Sequence, residues 1–212
     1  MSRRLALAAF ALPVLLLFVP ATAIAIAGPR EDLFESWKKF LALKSFRASI
    51  NTLEPSQLSS QMEFQAPDRY RMSIPNGPTT VMVGDTAYMT IGGRSMKLPL
   101  PVKSMTAQYR DEAFLQRLQA GLVVENLGHD TLDGEPVRKL RYVQDAQPPP
   151  AMPGAAPAAG ATGKATTVAW ISVKSGLILR LEVSARYRGQ DSRTEIRYSG
   201  FNDPTINIQP PK

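Results

Sequence analysis

The chain has 212 residues, no cysteine and one histidine, which excludes a disulfide frame, a cysteine–zinc site and a multi-histidine metal centre. Its formal charge is +7, with a pI near 9.8. In an exported protein, that basicity suits anionic lipid headgroups or acidic partners more than nucleic acid.

Export is read from the first residues. Ser2-Arg3-Arg4 is basic, Leu5 to Val19 is almost wholly apolar, and Ala21-Thr22-Ala23 and Ala25-Ile26-Ala27 are small-x-small cleavage patterns. This is the build of a secretory signal peptide; a membrane anchor is the alternative. Residues 1–27 are therefore expected to be removed, leaving 28–212 as one domain in the periplasm. Without a cysteine at the junction, no lipid is attached there. N-terminal sequencing should find Gly28 or a near neighbour; Met1 retained on membrane-bound protein would refute cleavage.

Glu31 to Lys44 predicts a helix, with Leu33, Phe34, Trp37, Phe40 and Leu41 in one stripe. Acids at its start and lysines later suit the helix dipole. Strands follow directly. Phe46, Ala48 and Ile50 alternate with polar residues. Leu58 to Ile74 then reads as strand–turn–strand, broken at Ala66-Pro67-Asp68. Short strands are expected over Thr79–Val83, Ala87–Ile91 and Ser95–Leu100, separated by turns at Pro75–Pro78, Gly84-Asp85 and Gly92-Gly93. Tight turns between successive strands argue an antiparallel meander.

Met105 to Ala120 changes period and predicts a second helix stopping at Gly121. Leu122–Leu127 and Val137–Val143 flank an Asp133-Gly134 hairpin signal. Residues 146–164 are rich in proline, alanine and glycine and read as a disordered insertion between strands. Deleting 147–163 should change Tm by less than about 5 °C, since loop-closure entropy varies slowly with length; a larger fall would show the segment is packed. Thr166–Val173, Leu177–Arg188 and Arg193–Phe201 complete about eleven strands. Ile206 and Ile208 lie in a short extended end. The fold class is mainly β (α+β).

No catalytic arrangement is expected, and no cofactor or metal. His129 reads as a surface turn residue, there is no nucleophile motif around any serine, and the carboxylates lack a paired spacing. Arg180, Arg186, Arg188, Arg193 and Arg197 crowd the last long strands; cross-strand pairing with Glu182, Asp191 and Glu195 accounts for them better than a basic patch.

Apolar surface is the chief functional signal. The inward face of a curved sheet would carry Ile50, Met62, Phe64, Tyr70, Met72 and Ile74, together with Val83, Trp170, Leu179 and Leu181. A helix about 20 Å long cannot cover such a sheet. Either a second helix fills the gap or an adaptable methionine- and aromatic-lined cavity remains. A solid core of the same residues is the competing reading.

The ordered features resemble a known family. They are Lys44-Ser45-Phe46-Arg47-Ala48 after the helix, Pro67 to Arg71, Gly84-Asp85-Thr86-Ala87-Tyr88, Leu127 to Gly134, Trp170 to Gly176 and a closing Phe201-Asn202-Asp203. Spread over roughly Leu33 to Ile208, they resemble the periplasmic lipoprotein-carrier superfamily of LolA/LolB-like half-barrels and outer-membrane lipoprotein-sorting proteins. Ala66, where the carriers have a basic residue, and Tyr88, where they have tryptophan, depart from the pattern, as does the insertion. The resemblance implies an unclosed antiparallel barrel with a helical lid over an apolar cavity. That cavity would hold acyl chains of a lipid or lipoprotein for transfer towards the outer membrane, between membrane-associated donor and acceptor proteins. A regulatory sensor module binding a lipid signal or a partner protein through the same half-barrel is the alternative.

Overall fold

A computed structural model describes residues 28–99, 122–145, 163–187 and 189–211. The expected signal peptide, the helix at 105–120 and nearly all of the 146–164 insertion lie outside the described residues.

One helix and eleven strands make up the described fold. They are α1 (Pro29–Leu41), β1 (Ser45–Glu54), β2 (Leu58–Gln65), β3 (Arg69–Ser73), β4 (Thr79–Val83), β5 (Thr86–Ile91), β6 (Arg94–Leu98), β7 (Val123–Leu132), β8 (Glu135–Asp145), β9 (Lys164–Ser172), β10 (Ile178–Tyr187) and β11 (Gln190–Ser199). They form one antiparallel sheet in the order β6-β5-β4-β3-β2-β1-β11-β10-β9-β8-β7. The first and last strands pair in the middle, and among the described residues β6 and β7 are the outermost strands of an unclosed half-barrel. The hairpins follow their turn residues. Gly92-Gly93 and Asp133-Gly134 all have positive φ, as a two-residue turn matching strand twist requires.

α1 begins with Pro29 at its first position, where the missing N–H costs nothing, and carries Glu31 and Asp32 in its first turn and Lys38 and Lys39 in its last. It stops three residues before the expected Lys44. The Leu43 N–H turns to the Phe40 carbonyl at 3.2 Å, and the Lys44 N–H is taken by Asn202 Oδ1 at 2.7 Å. The chain leaves the helix to join the C-terminal loop.

Two clusters form the core on the concave face. Leu33 and Phe34 of α1 pack on Leu122, Leu140, Tyr142, Ala169, Ile171 and Ile178, with Trp37 edge-on to Phe34 and Tyr142 at 5.4 and 5.7 Å. Asp32 of α1 pairs with Arg138 of β8 and fastens the helix there. Aromatic rings build the second cluster: Phe40 lies 4.7 Å from Phe46, which lies 5.1 Å from Phe64, which lies 5.1 Å from Tyr70. Burial pushes the Tyr142 and Tyr198 phenols well above their usual range.

Two expectations change. His129 is an exposed strand residue of β7 opposite Arg138, not a turn residue, because β7 continues to Leu132 through a bulge at Asn126/Gly128. The alternation expected along 177–188 breaks at a bulge between Ile178 and Arg180, which turns Ile178 into the core at 3 % exposure. The extended C-terminal end is a strap. Ile206 and Ile208 are buried on the convex face against Val81 and Val83. Arg69 donates to the Ile208 carbonyl at 2.8 Å, and the Ile208 N–H donates to Gln65 at 2.9 Å.

Charges occupy the convex face as the cross-strand pairing anticipated. Arg180 reaches Glu182 and Glu195 at 3.2 and 2.6 Å, Arg193 reaches Glu182 at 2.9 Å, and Arg197 reaches Glu195 at 2.9 Å. Nearer the strap, Arg47 bridges Glu63 and Asp203. The Arg47 guanidinium, helped by the Thr205 hydroxyl and N–H, holds the Asp203 carboxyl below its ordinary 3.8, at about 2. A depressed carboxylate contributes stability above its unfolded pKa and loses it as pH falls through the folded one. Acid unfolding followed between pH 4 and pH 2 should therefore be shallower in Asp203→Asn than in the parent; identical slopes would remove the strap from the acid response.

Candidate ligand-binding face

Strand register decides which side chains share the concave face. Ala48 opposes Met62, Met62 opposes Met72, Met72 opposes Thr80, Thr80 opposes Met89 and Met89 opposes Met96. These residues run in one row across β1 to β6. The adjacent row is Phe46, Phe64, Tyr70, Met82, Ala87 and Leu98. Met82 is diagonal to both Met72 and Met89, within reach of long side chains.

The two ends of these rows differ. Phe46 and Phe64 belong to the packed core under α1, Phe64 being fully buried. Met72, Met82 and Met89 are half-buried and belong to no core cluster, and Met96 is 52 % exposed. The sheet thus carries a solid core on one side and an apolar wall on the other. Over β3 to β6 the wall measures about 14 Å along the strands and about 14 Å across them, from the ordinary strand rise and spacing. Flexible, polarizable methionines conform to varied apolar shapes.

Of the residues proposed from sequence, Ile50, Met62, Phe64, Tyr70, Met72 and Leu181 stand on the concave face, with Phe64 in the core rather than on the wall. Ile74 follows Met72 by two positions at the Pro75 turn. Val83 and Trp170 point the other way. Val83 opposes Arg69 and packs under the C-terminal strap. Trp170 is only 7 % exposed, between the Arg180 guanidinium at 4.3 Å and the Lys139 amine at 5.2 Å from its ring centroid. Those cations and their stems, not a cavity, bury the indole. Leu179 falls at the bulge and lines a shallow depression with Leu132, Asp133, Arg197 and Phe201, away from the methionines. Sequence reasoning passed over Met82, Met89, Met96 and Leu98. Their alternation with Val81, Val83, Tyr88 and Lys97 was the signal that could have found them.

The architecture is an unclosed antiparallel half-barrel with one helix packed on its concave face. Among solved structures the chain is similar to the Mycobacterium tuberculosis lipoprotein LppX, with a TM-score of 0.63 at 14% identity over 85% of this chain and 97% of that one. It is also similar to LprF from Mycobacterium bovis, with a TM-score of 0.60 at 14% identity over 86% and 96% of the two chains. No family model matches the sequence, and no curated protein does. These likenesses establish the fold. Among the described residues, no helix is long and apolar enough to cross a membrane.

Proposed function

We propose that this protein is an exported, non-catalytic binding protein that holds acyl chains of a lipid or lipoprotein against its concave face and hands them on. The observation that carries this reading is the methionine wall over β3 to β6, apolar and outside the packed core. Each methylene moved from water onto such a surface is worth about 0.8 kcal/mol. Transfer then needs no reacting group, only a better-burying acceptor. The family resemblance and the basic, apolar, small-residue start of the chain support carriage in the periplasm. Native mass spectrometry of protein purified from its own exported fraction tests it. Co-purifying acyl lipid is the expected result. A chain that arrives empty, fails to bind a dansylated fatty acid and holds a stable protein partner would replace this reading with the sensor module.

A further inference from the structure

We infer that Arg94 takes the anionic head group of an amphiphile whose acyl chain lies on the methionine wall; this rests on the acyl-binding reading above. Charge is distributed very unevenly between the two faces of the sheet. Arginines, lysines, aspartates and glutamates of the strands stand on the convex side, most of them paired. By register, only two charged strand residues are left on the concave side among the described residues, Arg138 and Arg94. Arg138 is neutralised by Asp32 of α1. Arg94 is exposed and makes no ion pair among the described residues.

Its place is specific. Arg94 opposes Ile91 across the Gly92-Gly93 turn, and two positions on, Met96 opposes Met89. The guanidinium therefore stands at the rim of the wall, with water on one side and apolar side chains on the other. Its stem can lie along Ile91 and Met96 while the head stays wet. A bound amphiphile would place its polar end in that position and its chain over Met89, Met82 and Met72. A planar fork of donors matches the oxygens of a carboxylate or a phosphate. Fatty acids and lysophospholipids share that chemistry.

The test uses 11-dansylaminoundecanoic acid and its methyl ester, which differ in charge at one end. The wild type should bind the acid about tenfold more tightly than the ester. Arg94→Gln should abolish the difference by weakening the acid alone. Displacement of the ester probe by palmitate, palmitoyl lysophosphatidate and monopalmitoylglycerol then identifies the head group. Preference for either anionic lipid over the neutral one supports the assignment, and the stronger competitor shows whether carboxylate or phosphate is the natural form. Equal affinity of the wild type for acid and ester, or equal weakening of both by Arg94→Gln, overturns it while leaving acyl binding in place. Failure of both probes to bind the wild type overturns the acyl-binding reading itself, and this assignment with it.

Discussion

Phe64→Ala is expected to lower stability by about 3–5 kcal/mol, the usual cost of truncating a fully buried phenylalanine. For a domain of this size that corresponds to a fall in Tm of roughly 6–20 °C. The ring sits between Phe46 and Tyr70 with no exposed surface, so its removal leaves a cavity that α1 and β1 cannot close without losing their own contacts. Met89→Ala, three strands away from Phe64 on the same sheet face, should cost about 1 kcal/mol or less, because its side chain is half-exposed and has no place in either core cluster. Urea unfolding of both variants measures the contrast. Equal losses would mean that the methionine half is packed as tightly as the aromatic half, and the binding wall would disappear with that result.

Met72→Gln separates binding from folding. On the wall, the new amide can keep water, so the fold should survive with little change in Tm. An acyl chain laid over it would have to strip that water and lose apolar contact, which weakens binding of a dansylated fatty acid roughly five- to hundredfold. In a closed core the same amide would be buried without partners and would cost about 1–3 kcal/mol on top of lost packing. Binding and thermal unfolding are read on one preparation. Unfolding places Met72 in a solid core, whereas an intact fold with undiminished binding takes Met72 off the ligand path.

Much of this was visible in the bare sequence, for physical reasons that also explain what was not. Period two announces a strand, and turn glycines and prolines separate one strand from the next, so the meander and the α1 stripe could be read directly. Period two does not say which side is concave. In β4 both sides are apolar, Val81 and Val83 on one and Met82 on the other, so choosing Val83 was a choice between equals. What settles it is the strap, since Ile206 and Ile208 cover the valines from more than a hundred residues away. Trp170 misled through its size. A large indole suggests a core, but here two cationic side chains supply the cover. Leu179 was lost to the Ile178/Arg180 bulge, which shifts the register by one position and leaves no local signature in composition. The double-sided core of the sheet is a tertiary fact, and no window of ten residues contains it.

The central pairing of β1 with β11 also sets an order of assembly. Every other pairing in the sheet joins strands that are neighbours in the chain, so the ladder from β1 to β6 and the ladder from β7 to β11 can each grow by adding hairpins. Among the described residues, only Arg47 with Ser199 and the six strand pairs beside them join the two ladders, across nearly the whole described chain. Contacts of such long sequence separation form late and slowly, because the loop must close before any of them is made. Until they form, β1 and β11 are both bare edges carrying Phe46, Ile50, Ile196 and Tyr198, a template for pairing with another unfinished copy. A molecule emerging amino-terminus first cannot seal that seam until its last strand has arrived. The half-barrel must therefore be kept apart from its siblings through most of its own synthesis.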